Sequence, residues 1–225
     1  MSLHTDDFNN RLKRQHAVYI YTDTSIYEAF LKRLFDIAFI VLAAPIILTI
    51  VGISAFLVWL DGGQPFYSQM RIGLNGKEFR MWKIRTMVRD ADKVLEQYLS
   101  DNPDARIEWD RDQKLKNDPR ITKVGNFLRR SSVDEMPQFW NVLIGSMSVV
   151  GPRPMMTDQR SLYHGTEYFR FRPGLTGLWQ VSDRNETTFA ARVQFDNDYA
   201  DCVSFKQDVS IISQTLSVVL RCTGR

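Results

Sequence analysis

The sequence predicts an α+β fold: a membrane-associated helical core with a re-entrant membrane helix, a small β-hairpin and amphipathic surface helices. Three observations carry that prediction. Residues 37–60 read IAFIVLAAPIILTIVGISAFLVWL, with no charged side chain. Asn75-Gly76 interrupts a stretch of strand-forming residues, a strong hairpin signal. Near the C-terminus Val209, Ile212, Leu216 and Val219 recur at i, i+3, i+7 and i+10, the period of an amphipathic helix. The chain of 225 residues is long enough for a sizeable core without staples, and its net charge of +3 leans mildly toward anionic partners. Cys202 and Cys222 form neither a disulfide framework nor a metal-ligand spacing, which points to a reducing compartment. No internal repeat is present.

Residues 1–30 read as a peripheral N-terminal segment, polar and without a clear period. Residues 31–62 carry the apolar run, about 36 Å long as a straight helix, against a hydrocarbon core of about 30 Å. It is too long and too far from the N-terminus for a cleaved signal peptide. Two membrane readings fit it. One is a spanning helix, in which an internal proline is tolerated. The other is a re-entrant helix-break-helix that bends at Ala44 and Pro45, where proline removes a backbone hydrogen bond. Lys32 and Arg33 flank one end and Arg71, Lys77, Arg80, Lys83 and Arg85 the other, so the positive-inside tendency puts both flanks on one side. In the re-entrant reading Lys32, Arg33 and Asp36 mark the way in and Trp59 with Asp61 the way out.

Residues 63–225 read as a cytoplasmic catalytic domain ending in the amphipathic helix. Phe66–Met87 forms the hairpin, and Arg89–Leu99 a helix that Asn102-Pro103-Asp104 ends. The charged stretch from Asp104 to Pro119 contains a short helix near Ile107. Phe127 and Leu128 are expected in the core. Arg170–Val181 is expected to be extended, and Thr188–Cys202 helical with Phe189, Val193 and Tyr199 on its apolar side.

The chemistry concentrates around RRSSVDEMPQFW, residues 129–140. Ser132 to Glu135 fits a capping box, but Pro137 then falls where its N–H is needed. Starting the helix at Asp134 puts the proline in the first turn. Asp134 is then an N-cap and Glu135 complements the helix dipole. The same placement suits catalysis: the dipole holds Asp134 ionised, a carboxylate can attack a phosphoryl group, and Glu135 can hold Mg²⁺. Arg129 and Arg130 could bring a phosphate to the same place. Arg153, fixed between the prolines of Gly151–Pro154, is either a solvated loop residue or a phosphate clamp. Lys83 and Arg85 share one strand face and could meet one anion or lipid headgroups. Gln180 sits in a Gly-punctuated segment that turn geometry explains as well as nucleotide binding does. His4, His16 and His164 are scattered and make no triad or metal site.

Four stretches in order resemble the bacterial sugar transferase family, the monotopic phosphoglycosyl transferases: KRLFDIAFIVLAAP, FYSQMRIGLNGKEFRMWKIRTM, DPRITKVGNFLRRSSVDEMPQFWNVLIGSMSVVGPRP and RPGLTGLWQVSDRN. The resemblance covers residues 30–225. It implies a re-entrant helix broken at a small-residue/proline pair, here Ala44-Pro45, where many members carry Ser-Pro. It implies an Asp-Glu dyad at Asp134 and Glu135 with Mg²⁺ at Glu135. Arg129 and Arg153 match the phosphate contacts, with Lys83, Arg85 and Gln180 as further substrate-binding candidates. The implied reaction transfers hexose-1-phosphate from a UDP-hexose to undecaprenyl phosphate through an aspartyl-phosphosugar, releasing UMP, as the first membrane step of exopolysaccharide or O-antigen synthesis. Galactose is the first donor expected and glucose the second. Asp183 departs from the commoner glycine and adds negative charge near the donor pocket. The implied form is a small catalytic core, without the N-terminal bundle and extra domain of larger members. Expected partners are UDP-hexose, undecaprenyl phosphate and membrane lipids, with no nucleic acid; a homodimer is left open. The expected location is the cytoplasmic face of the bacterial inner membrane, held monotopically. From the residues alone, a Mg²⁺ phosphohydrolase with aspartyl-phosphate chemistry and a non-catalytic membrane scaffold are the competing readings.

Overall fold

A computed structural model describes residues 25–112, 115–182, 189 and 191–220. Most of the predicted N-terminal segment, Asp183, Thr188 and Cys222 lie outside the described residues. Helices α1 (Lys32–Leu60), α2 (Ala91–Asp101), α3 (Pro103–Asp112), α4 (Lys123–Arg130), α5 (Gln138–Leu143), α6 (Leu178–Val181), α7 (Arg192–Cys202) and α8 (Phe205–Leu220) surround two small sheets. Strands β1 (Phe66–Ile72), β2 (Glu78–Ile84) and β4 (Met155–Met156) form an antiparallel sheet in the order β2-β1-β4; β3 (Ser148–Val150) pairs in parallel with β5 (Gly174–Thr176). The α+β expectation holds, with one long apolar helix near the N-terminus.

Helix α1 is unbroken through Ala44 and Pro45, so the expected helix-break-helix is corrected to one helix of 29 residues. Proline lacks the N–H to bond the carbonyl four residues back, but its fixed φ suits a helix, and the flanking turns continue. Thr49 Oγ1 donates to the Pro45 carbonyl at 2.8 Å. The buried residues Lys32, Asp36, Ile40, Ile47, Ser54 and Val58 follow one stripe along the entire helix. Leu42, Ile46, Leu48, Ile53, Phe56 and Trp59 point away and are exposed.

Both ends of α1 are fastened to the same body. At its start, Lys32 pairs with Asp208 of α8 at 2.6 Å. Asp36 accepts from the Val149 N–H at 2.9 Å and Ser148 Oγ at 3.0 Å. Lys32 and Asp36 are therefore buried tethers to the body. Arg33 donates to the carbonyls of Val142 and Leu143, the last carbonyls of α5, at 2.6 and 2.8 Å. At the far end Val58 packs with Ile84 and Leu128, and Arg85 reaches the Val58 carbonyl at 3.4 Å.

The β1–β2 hairpin forms as predicted. Asn75 takes a left-handed conformation (φ 57°), which asparagine tolerates, and the strand pairs are centred on it, from Ile72 opposite Glu78 to Phe66 opposite Ile84. The main core joins Ile40 of α1, Met81 of β2, Val142 of α5, Val150 of β3, Tyr199 of α7 and Ile211 of α8. A second cluster gathers Ile72, Met155, Tyr163 and Tyr168. Phe189 and Val193 pack on the second cluster while Tyr199 joins the first, so α7 bridges the two.

Four local expectations change. Leu128 is buried, but Phe127, one residue earlier on α4, faces outward at 67% exposure. Leu178–Val181 is a helical turn, not extended chain. Pro103 begins α3 instead of only ending α2, as proline is tolerated in a first turn. On α8 the buried residues are Asp208 and Ile211; of the expected apolar stripe Ile212 packs partly buried against the main core, while Val209 and Leu216 are exposed. The cause is Asp208, which binds Lys32 and accepts from Tyr27 and Tyr199 at 2.6 and 2.8 Å; its burial turns the helix by about one position.

Candidate active site

The acid pair lies in a single 3₁₀ turn, Val133–Glu135, between α4 and α5. Ser132 enters it in a left-handed conformation (φ 56°) and makes no capping bond, so the capping box does not form. Pro137 occupies the N-cap of α5, whose first helical residue is Gln138. Asp134 is thus one turn ahead of the helix rather than its cap.

Contacts of four side chains position this turn. Arg33 holds the C-terminal end of α5 against α1. Asn141, fully buried on α5, accepts from the Trp82 N–H at 3.0 Å and donates to the Arg80 carbonyl at 2.7 Å, locking α5 to the edge of β2. Lys83, the next residue of β2, then meets Glu135 Oε1 at 2.8 Å. On the other side Arg129 donates from Nε to the buried Thr86 Oγ1 at 2.8 Å. The approach of α4 to this strand end requires Gly125, where a Cβ would strike the Thr86 carbonyl.

The two carboxylates differ electrostatically. Asp134 is buried. Burial, and after it the charge of Glu135, push its carboxyl up to about 6 against the opposing pull of Lys83 and Arg129. This corrects the expectation that a helix dipole holds it fully ionised. For Glu135 burial acts in the same upward direction, but Lys83, Arg153 and Arg71 outweigh it and hold the group below the ordinary carboxylate range. Neighbouring carboxylates whose environments drive them apart are a recurrent mark of functional sites.

Glu135 faces a polar cleft of about 110 Å³ whose lining includes Arg71, Lys83, Arg153, Gln180 and Arg192. Arg153 and Arg192 flank the Trp179 ring at 5.2 and 4.5 Å from its centroid. Burial and the like charge of Arg153 lower Arg192 to about 10 and push Arg71 down in the same direction. Arg71 Nε, Arg192 Nε and Gln180 Oε1 are buried without a hydrogen-bond partner among the described residues. Such orphaned groups are costly unless something completes them, and a polyanion with oxygen acceptors would complete the two arginines. The Gly151–Pro154 loop reaches the cleft because it passes so close to Arg172–Gly174 that a Cβ on Gly174 would strike the Gly151 backbone and one on Gly151 the Arg172 carbonyl.

Of the residues expected at the site, Lys83, Glu135, Arg153 and Gln180 converge on the cleft. Asp134 and Arg129 do not line it; Asp134, next to Glu135 in the chain, feels the charges of Lys83 and Arg129. Arg85 does not join Lys83: it turns toward the end of α1, to the Val58 carbonyl and Gly63. Ala44 and Pro45 are far along α1 and take no part in this cleft. Arg71 and Arg192 went unassigned in sequence. Arg71 was legible in principle, because a hairpin centred on Asn75 puts Arg71, Met81 and Lys83 on one sheet face. Arg192 comes from a helix distant in sequence and carried no signal.

Among the described residues no group of three His, Cys, Asp or Glu side chains is placed to hold a metal. Glu135, the carboxylate in the cleft lining, is the residue that would hold Mg²⁺, an ion that commonly takes one or two carboxylates and fills its remaining positions with water and substrate phosphate oxygens.

Fold and site together define a protein with an arginine-lined cleft and two neighbouring carboxylates of opposite electrostatic character beside a long apolar helix, an arrangement suited to phosphate chemistry. Comparison with known proteins gives the particular family. The family model described as bacterial sugar transferase matches residues 27–222, and the chain belongs to that family. It is 46% identical over 197 residues to a UDP-galactose-lipid carrier transferase of Erwinia amylovora, covering 87% of this chain and 41% of that protein. It is 45% identical over 199 residues to the exopolysaccharide production protein ExoY of Rhizobium meliloti, covering 86% of this chain and 87% of the relative. With the UDP-glucose:undecaprenyl-phosphate glucose-1-phosphate transferase of Escherichia coli it shares 37% identity over 207 residues, covering 87% and 41%. The chain therefore spans less than half the length of the Erwinia and Escherichia relatives and most of the Rhizobium one.

Proposed function

We propose that this chain transfers hexose-1-phosphate from a UDP-hexose to undecaprenyl phosphate, as the first membrane step of exopolysaccharide or O-antigen synthesis. The observation that carries the proposal is the acid pair: a buried carboxyl raised to about 6 next to a Lys83-paired glutamate that faces an arginine-rich cleft. In the first half-reaction an Asp134 carboxylate oxygen attacks the β-phosphorus of the donor. An Asp–phosphorus bond forms, the bond from that phosphorus to the bridging oxygen breaks, and UMP leaves with the electron pair. In the second, a phosphate oxygen of the lipid attacks the same phosphorus and frees Asp134. Arg71, Arg153, Arg192 and Lys83 neutralise the diphosphate and orient it for attack. Mg²⁺, held through Glu135, would supply further charge neutralisation at the phosphates.

Galactose is the preferred donor sugar and glucose the second, in line with the names of the relatives at 46% and 37% identity. The cytoplasmic face of the inner membrane is the proposed location, with α1 lying monotopically in it. What supports a monotopic seat is that the body holds both ends of α1 and leaves its outer face apolar; a spanning helix would need one end free to reach the far side.

The test incubates purified protein with radiolabelled UDP-galactose or UDP-glucose, Mg²⁺ and undecaprenyl phosphate. Label entering the organic phase with UMP release is expected, and Asp134→Asn abolishes it. Release of free sugar phosphate would instead establish a hydrolase, and no turnover a scaffold.

A further inference from the structure

The arginine cleft contains a group that a polyanion cannot complete. Gln180 lines the cleft, is 9% exposed, and has its Oε1 buried without a hydrogen-bond partner. That oxygen only accepts, and so do the oxygens of an ionised diphosphate. The other orphaned groups of the cleft, Arg71 Nε and Arg192 Nε, only donate. A ligand that satisfies all three must bring acceptors to the arginines and a donor to Gln180.

The neighbouring cations are engaged elsewhere. Arg71 Nη2 donates to Gln69 Oε1 at 2.6 Å. Lys83 pairs with Glu135, and Arg153 and Arg192 lie against the Trp179 ring. Gln180 itself is placed by the turn of α6: its N–H donates to the Gly177 carbonyl at 3.0 Å. A Cβ on Gly177 would lie 3.1 Å from Gln180 Oε1, so the glycine keeps the space beside that oxygen open.

We infer that Gln180 Oε1 accepts a hydrogen bond from a sugar hydroxyl of the nucleotide-sugar donor and so helps to select that donor. The inference rests on the transferase reading above and deepens it. Two points single out a hydroxyl. Each phosphate of a UDP-hexose is attached directly to a sugar, the α-phosphate to the ribose and the β-phosphate to the hexose. Hydroxyls are therefore the hydrogen-bond donors nearest to arginine-bound phosphates, and the base lies beyond the ribose. A hydroxyl also accepts while it donates, so a single group can serve Gln180 and a cleft arginine together. Because a buried acceptor left unpaired is costly, a ligand lacking that hydroxyl is discriminated against.

The test measures binding by calorimetry to the full chain in lipid nanodiscs, in the Asp134→Asn background so that no transfer intervenes. The ligands are the UDP-hexose that the wild-type protein turns over, its analogues lacking one hexose hydroxyl each, its 2′-deoxy and 3′-deoxy ribose analogues, and its N3-methyluracil analogue. One deoxy analogue is expected to bind about tenfold more weakly than the parent. Gln180→Met keeps a side chain of similar size and removes the acceptor. It should weaken the parent about tenfold and change that one analogue by no more than about twofold. The analogue that the substitution leaves unaffected identifies the hydroxyl: a hexose analogue places it on the hexose, a ribose analogue on the ribose. Equal weakening of every ligand by Gln180→Met, weakening of none, or insensitivity only of the N3-methyl analogue would overturn the inference. Should Gln180→Met fail to fold, the series measured with Gln180 in place decides, and deoxy analogues that all bind within about twofold of the parent overturn it. Failure of the transferase reading looks different: wild type turns over no UDP-hexose and the Asp134→Asn protein binds none, and the inference falls with it.

Discussion

Protonating Asp134 is expected to switch off the donor half-reaction in mild acid. Its carboxyl sits at about 6 because burial and Glu135 disfavour the charged form. The ionised fraction then drops from roughly nine-tenths at pH 7 to roughly one-tenth at pH 5, and a nucleophile that works only as carboxylate loses rate in proportion, about tenfold. The assay is a quenched single turnover at subsaturating UDP-galactose without lipid acceptor, reading UMP release from pH 5 to 8; under these conditions the rate reports the free enzyme. The donor diphosphate stays ionised over this range, so the limb belongs to the protein. A flat profile, or a limb near the ordinary carboxylate value of about 4, would refute the assignment of Asp134 as a buried nucleophile. Lys83→Met removes a cation that opposes the upward shift and should move the limb to higher pH; movement the other way contradicts the electrostatic account.

Two further outcomes concern stability. A carboxyl raised from 3.8 to about 6 costs stability wherever it is ionised: the penalty is absent below the unfolded value and complete above the folded one, about 3 kcal/mol. Asp134→Asn should therefore be inactive yet more stable than wild type to urea at pH 7, with the advantage fading as pH falls from 6 toward 4; a less stable variant at pH 7 would refute the burial argument. Asn141→Ala should lose about 1–3 kcal/mol for each strand group left unpaired and, by loosening α5 from β2, lower transfer more than the stability loss explains, as measured by urea titration and turnover of the folded fraction.

The hairpin was readable because Asn75-Gly76 dictates a turn and the turn dictates the register. The acid pair was legible as a candidate through the family resemblance, the residues alone suiting a helix cap as well. Its true setting was not: the left-handed Ser132 and the 3₁₀ turn arise from the way α4 and α5 are held by Gly125, Asn141 and Arg33, contacts between residues far apart in sequence. Apolar periodicity misplaced the buried face of α8, since it reads Val209 and Leu216 as core and cannot anticipate a buried Asp208. The same blindness hid Arg192, because its place at the cleft depends on bringing β1, the Gly151–Pro154 loop and α7 to one point, whereas the hairpin register could have placed Arg71.

The Lys32–Asp208 pair also sets the order of events during synthesis. The two residues are 176 positions apart, and at roughly 5–20 residues per second about 9–35 s pass between their polymerisation. Throughout that interval Lys32 has no carboxylate to accompany it out of water, and an uncompensated buried ammonium is strongly disfavoured. The start of α1 can settle into its final place only when α8 is made, so the packing of this end of α1 is a late step coupled to synthesis of Asp208.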